Sequence, residues 1–148
     1  MKSVFEKETR DEVIYRINSL NEKSLALWGK MNIYQMLAHN AMWQQLMLGK
    51  VKSKRVFMGR IFGKAALKNA LKDESPLRKN TPTTPEVMAR EKSGDLEMQR
   101  KKWIKELEEY ANYSSTEFVH PFFGKMTRQE VGYFVYKHSD HHLRQFGV

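Results

Sequence analysis

The chain of 148 residues contains no cysteine and no long apolar run. The lack of thiols excludes disulfides, thiolate zinc sites, iron–sulfur clusters and a cysteine nucleophile, so a metal would have to be held by nitrogen and oxygen. The charged N-terminal stretch has no apolar core of signal-peptide length, and no later segment approaches the ~20 apolar residues of a membrane span. These absences predict a cytoplasmic protein without a membrane partner.

Acidic residues are scarce relative to basic ones. There are 26 lysines and arginines against 17 aspartates and glutamates, which gives a net charge of +9 and a pI near 9.7. This charge leaves open a basic, non-catalytic binding module for nucleic acid or an acidic partner, with a structural or vestigial metal. Aromatic residues lie mostly on apolar stripes instead of being interleaved with the basic groups, as stacking on bases requires, so nucleic acid is the less favoured partner. The basic residues form three dispersed groups that we interpret as solvated faces: Lys50, Lys52, Lys54, Arg55 and Arg60; Lys64, Lys68 and Lys72; and Arg100, Lys101 and Lys102.

Apolar periodicity and capping residues predict helices along the whole chain. The predicted helices start at Thr9, Asn32, Val56, Asp95 and Thr127. The first pattern dissolves near Asn21 to Ser24, and the other four helices are expected to end near Leu48, Leu71, Asn112 and Phe146. Two glycines in the third helix predict that it is short or broken. The proline-rich stretch 73–94 predicts a long surface connection, and no segment alternates as a strand would. We therefore expect a single all-α domain over residues 1–148, in which four or five amphipathic helices pack as an antiparallel bundle.

The last predicted helix carries two histidines one turn apart. At about 100° per residue, His138 and His142 project within roughly 40° of one another and continue an apolar stripe of two upstream valines. His138 and His141 also share a face. Alignment with the apolar stripe favours His142 and makes His141 a rim residue. Ser139 stands where a zincin protease has its catalytic glutamate, which argues against that class of enzyme.

His39 lies in the middle of the second predicted helix among apolar neighbours. A buried imidazole without a partner is costly, so His39 needs either a hydrogen bond or a metal. A core histidine bonded to another protein group satisfies this need as well as a ligand does. The helical pattern assigns His39 to one side of this helix, with Met42 and Leu46, and Trp43 to another.

Two stretches resemble a known superfamily. Residues 28–43, WGKMNIYQMLAHNAMW, resemble the second helix of the DinB/YfiT-like superfamily of metalloenzymes, in which a ligand histidine occupies the position of His39. The ending GYFVYKHSDHHLRQFG resembles the last helix of that superfamily, whose two ligands match His138 and His142, and the final third is most similar to a small subfamily of unknown function. The resemblance implies an all-α four-helix bundle with a long crossover connection and one extra short helix. It also implies a three-histidine metal site, thiol-dependent transfer or isomerisation, and homodimers.

Three neutral imidazoles suit a divalent transition metal, Zn or Ni foremost and Fe as well, and they leave coordination positions open. Such a centre lowers the pKa of bound water or of a thiol cosubstrate. The predicted function is a metal-dependent transferase or hydrolase acting on a small molecule. Because ligand histidines usually donate their second nitrogen to a neighbour, further site residues are expected close by. The candidates are Gln145, Asn40 and Glu130 as hydrogen-bond partners, His141 at the rim and His120 at the pocket mouth.

Overall fold

The computed structural model describes all residues 1–148 and is mostly helical, with five α-helices and one two-stranded sheet. The helices are α1 (Lys7–Ser19), α2 (Ile33–Met47), α3 (Phe57–Ala70), α4 (Leu96–Glu108) and α5 (Arg128–Gln145), and the strands are β1 (Phe118–His120) and β2 (Gly124–Met126). Short 3-10 turns occupy Pro85–Val87 and Glu109–Asn112. None of the helices combines the length and the apolar character that crossing a bilayer takes.

Side-chain caps begin three of the five helices, as predicted. Asn32 and Thr127 form reciprocal capping boxes with the glutamine and the glutamate three residues further on, and Asp95 accepts a backbone N–H at the start of α4. The predicted start of α1 is wrong, because this helix begins at Lys7 without a side-chain cap. Thr9 is buried within its first turn and donates its hydroxyl to a glutamate carboxylate instead of capping.

The third helix occupies nearly the predicted residues, and the expectation that it is short or broken is wrong. Its two glycines do not break it, because they face the β-hairpin: a Cβ at Gly59 or Gly63 would overlap the backbone of Phe122. Leu67 continues this buried stripe one turn further on. The glycines therefore serve close packing, since they let the backbone of α3 approach the backbone of the hairpin.

The small sheet corrects the all-α expectation. β1 and β2 pair antiparallel, with Phe118 opposite Met126 and His120 opposite Gly124. Gly124 has φ of +80°, a left-handed conformation that glycine adopts without the steric cost of a side chain. Strands of three residues are too short to display a recognisable alternation, which is why the sequence showed no strand signal.

The main contacts between helices join α2 and α1 to the same two helices, α4 and α5. A continuous cluster of 22 buried apolar residues fills the space between them, with Met36, Trp103 and Leu143 fully enclosed. The connection between α3 and α4 returns to α2 through the turn Pro85–Val87. One part of α2 is thereby covered by both α5 and the crossover.

Candidate metal centre

Three histidines meet where α2 faces α5. His39 comes from α2, and His138 and His142 come from successive turns of α5. The ring centroids are 4.9 Å apart for His39 and His142, 4.6 Å for His138 and His142, and 5.4 Å for His39 and His138. One ring nitrogen from each residue lies within 4.8 Å of the others, so the group could hold a metal ion. No carboxylate belongs to this group.

The orientation of His39 is set by the backbone of the crossover. Its Nδ1 lies 2.7 Å from the carbonyl oxygen of Val87. A carbonyl oxygen only accepts, so Nδ1 carries the proton and Nε2 keeps its lone pair. The hydrogen bond therefore selects the tautomer of His39 that can bind a metal through Nε2.

His142 is oriented by a chain of two hydrogen bonds. Its Nδ1 lies 2.9 Å from Oε1 of Gln145, and Nε2 of Gln145 donates to the carbonyl oxygen of Trp28 at 2.8 Å. Because the amide nitrogen is engaged by a carbonyl, Oε1 is the acceptor and Nδ1 of His142 is the donor. Gly29, next to Trp28, has φ of +83°, and a Cβ there would lie 2.6 Å from Nε2 of Gln145. The loop thus approaches the amide as only glycine allows.

His138 is held by stacking. Its ring lies parallel to the indole of Trp43, with centroids 3.6 Å apart and an interplanar angle of 4°. Nδ1 of His138 is buried and has no hydrogen-bond partner. A buried nitrogen without a partner is costly, and either coordination or a water molecule would satisfy it.

The environment keeps all three imidazoles neutral. Burial lowers the pKa of His39, against the opposing effect of the Val87 carbonyl, and it lowers the pKa of His138 well below the ordinary value. Burial, together with the neighbouring His39, lowers the pKa of His142 to about 3. A protonated imidazole cannot bind a metal through the protonated nitrogen, so these shifts favour the form that serves as a ligand at neutral pH.

The other predicted site residues lie outside the three-histidine group. The half-buried ring of His141 packs against His142 and against the edge of Trp28. His120 accepts two backbone N–H groups within the hairpin turn, and the ring of Phe134 lies between it and His138.

Two of the predicted hydrogen-bond partners form no hydrogen bond with the three histidines. Asn40 is fully buried and donates to the backbone carbonyl of Met36. Glu130 completes the capping box of α5. Of the three predicted partners, Gln145 alone reaches a histidine of the group.

Sequence reasoning missed two contributors to the centre. The Val87 carbonyl carries no side-chain signal, because any residue supplies the same group. Trp43 had a signal that was misread: it is four residues from His39, and at about 100° per residue this places the two within roughly 40° of each other on α2. Their assignment to different sides of the helix is therefore wrong.

Comparison with known proteins assigns the chain to a family. A family model described as "Protein of unknown function (DUF1569)" matches residues 3–147, and the chain belongs to that family. The resemblance to the DinB/YfiT-like superfamily is thereby corrected, since the match over nearly the whole chain is to DUF1569 and not to that superfamily. No curated protein and no solved structure matches the chain.

Proposed function

We propose that this member of the DUF1569 family is a metal-dependent enzyme of the transferase or hydrolase type that acts on a small molecule. In this proposal His39, His138 and His142 hold one divalent transition metal, Zn or Ni foremost and Fe as the next candidate. When bound, the ion would supply Lewis acidity and lower the pKa of a water molecule or a thiol in an open coordination position. The nucleophile would be that water or a low-molecular-weight thiol, because the chain has no cysteine.

The observation that carries the proposal is the pre-set orientation of two imidazoles. Nδ1 of His39 and Nδ1 of His142 both donate to fixed oxygens, so their Nε2 atoms are left as lone-pair donors within one cluster. An ordinary core histidine needs one such bond and no second histidine facing it. Two oriented rings beside a third with an unpartnered nitrogen fit the donor set of a metal site.

The remaining roles of the chain are orientation and exclusion of water. The Val87 carbonyl and the Gln145 amide would keep His39 and His142 aligned before a substrate arrives, which lowers the reorganisation needed during reaction. Trp43 would fix the plane of His138 by stacking. Without a carboxylate in the group, the three neutral ligands would leave the ion its full positive charge, which favours an anionic or strongly polarised substrate group.

We further infer that α1, α2, α4 and α5 constitute a four-helix bundle with one long crossover between α2 and α4. Support for this arrangement comes from the mutual packing of these four helices and from the position of α3, which packs on the hairpin. In such a bundle, a site between facing helices is built from side chains that project inward.

Elemental analysis of protein purified without a polyhistidine tag tests the metal site. The wild-type chain should carry about one equivalent of metal, whereas His39→Ala and His142→Ala should carry very little. His141→Ala is the matched control, because this neighbouring histidine lies outside the group, and it should keep its metal. Stoichiometric metal in both His39→Ala and His142→Ala, with native circular dichroism, would refute the site.

A separate experiment tests the enzymatic part. Metal-loaded protein should hydrolyse activated esters or phosphoesters, or transfer a group to an added low-molecular-weight thiol, and a chelator should abolish this turnover. Dependence on the thiol distinguishes transfer from hydrolysis. The assignment as an enzyme would be overturned if the turnover of metal-loaded wild-type protein did not exceed that of His39→Ala. The chain would then be a metal-binding protein without this activity.

A further inference from the structure

The third helix presents an apolar face to solvent. Phe57, Met58, Ile61 and Phe62 are between 51% and 72% exposed, and nine of the fourteen residues of α3 are exposed. Only a narrow stripe through Gly59, Gly63 and Leu67 is buried. At about 100° per residue, the centre of the exposed apolar face is roughly 170° from the centre of the buried stripe. The apolar side of α3 therefore points away from the protein.

The positive charge of the protein is concentrated around this face. The segment 50–72, which contains α3, has eight lysines and arginines and no acidic residue, while the rest of the chain has 18 basic and 17 acidic residues and is nearly neutral. The sequence pattern suggested dispersed basic residues, whereas the excess of positive charge lies in this one segment. Lys50 alone among the eight forms ion pairs, with Glu106 and Glu109. The other seven form no ion pair with a carboxylate of the chain.

The charges lie where an interfacial helix needs them. Arg60, Lys64 and Lys68 follow one another along one flank of the apolar face of α3, and Lys52 and Lys54 precede the helix. Helices that lie in the plane of a membrane bury an apolar face of aromatic and aliphatic residues and hold lysines and arginines at the headgroups. Each basic residue near an anionic bilayer contributes about 1 kcal/mol, which corresponds to about fivefold in partitioning.

We propose that α3 is a membrane-surface anchor that binds the headgroup region of an anionic bilayer, with Phe57, Met58, Ile61 and Phe62 inserted among the lipids. A second copy of the chain is a poorer occupant, because pairing two such faces would bring together two segments that each carry seven positive charges without an ion-pair partner. The helix lies on the membrane and does not cross it, in agreement with the absence of a spanning helix. The sequence-based expectation of no membrane partner considered spanning segments only. This proposal does not depend on the histidine centre.

Flotation with vesicles tests the charge requirement on the full chain. The protein should bind vesicles of phosphatidylcholine with phosphatidylglycerol, bind phosphatidylcholine alone far less, and dissociate as salt increases. The triple variant Arg60→Gln, Lys64→Gln, Lys68→Gln should lose roughly 100-fold in partitioning, at about fivefold for each charge. The control Lys101→Gln, Lys102→Gln, Lys105→Gln removes equal charge from exposed positions of α4 and should lose less than about fivefold.

Site-specific labelling tests insertion, and the absence of native cysteine makes the labelling specific. An environment-sensitive fluorophore on Ile61→Cys should shift its emission to the blue with anionic vesicles, whereas the same label on Lys101→Cys should not shift. No binding to anionic vesicles at low salt, or an unshifted label at position 61, would overturn the proposal. A dimer in solution that the double variant Phe57→Ser, Phe62→Ser converts to monomer would also overturn it, in favour of a second copy.

Discussion

Replacement of Gln145 by leucine tests how the candidate metal centre is organised. Gln145 is 4% exposed and makes two hydrogen bonds, from Nδ1 of His142 at 2.9 Å and to the Trp28 carbonyl at 2.8 Å. Leucine keeps most of the volume and removes both bonds. Loss of a group that orients a ligand histidine typically costs 10–100-fold in metal affinity, so Gln145→Leu should weaken binding by about that factor. This factor corresponds to about 1.4–2.8 kcal/mol.

The same substitution should also destabilise the metal-free protein. It leaves the buried Nδ1–H of His142 and the part-buried carbonyl of Trp28 without partners, at a cost of about 1–3 kcal/mol each, so a total loss of roughly 2–6 kcal/mol is expected. Metal affinity is measured by competition with a chromophoric chelator, and the free energy of unfolding by urea denaturation. Gln129→Leu is the control, because Gln129 is an exposed glutamine of the same helix. A metal affinity of Gln145→Leu within twofold of wild type would refute this account of the orientation of His142.

Three further predictions concern the hairpin, the core and α3. Burial lowers the pKa of His120 from 6.5 to about 4, so this histidine favours unfolding as the pH falls through that interval. His120→Asn keeps a hydrogen-bond acceptor for the turn and removes this titration. As the pH falls from 6.5 to about 4, the free energy of unfolding should decrease less in the variant than in wild type, by up to about 3 kcal/mol. Tyr110→Phe removes the buried 2.9 Å hydrogen bond to Gln44 and should cost about 1–3 kcal/mol in urea denaturation. Gly63→Ala places a Cβ against the Phe122 carbonyl and should cost about 1–3 kcal/mol.

Each of these predictions has a result that would contradict it. Identical pH profiles for wild type and His120→Asn would show that another group controls the acid response. An unchanged unfolding free energy for Tyr110→Phe would mean that Gln44 finds another donor. A Gly63→Ala protein as stable as wild type would mean that the hairpin moves away from α3 at no cost.

The helices were predictable where a side chain caps them. Asn32, Asp95 and Thr127 each supply a capping oxygen at the position where the apolar periodicity also predicts a helix start. Local sequence therefore determines the local structure at these three positions. The start of α1 was not predictable by that rule, because Thr9 satisfies the spacing of a capping box and is used inside the helix instead. The hairpin was not predicted, because strands of three residues are too short to show the alternation of apolar and polar residues that identifies a strand.

The candidate centre was predictable in its members and not in its organisation. Spacing places His138 and His142 on one face of α5, but the meeting of this face with His39 depends on how two distant helices pack. The exposure of the apolar face of α3 was also not predictable from the sequence, because an apolar stripe on a helix ordinarily predicts contact with the core. Here the glycines take the core side, and the larger apolar residues take the solvent side.

The hydrogen bond from His39 to Val87 places an unusual constraint on sequence change. The acceptor is a backbone carbonyl, so with respect to His39 the side chain at position 87 is free to vary, within the limits of its buried packing site. An insertion or deletion beside the turn Pro85–Val87 is different, because it would shift the carbonyl away from the imidazole. Substitutions along most of the crossover should therefore be tolerated, whereas changes of length near position 87 should affect metal binding without altering any ligand.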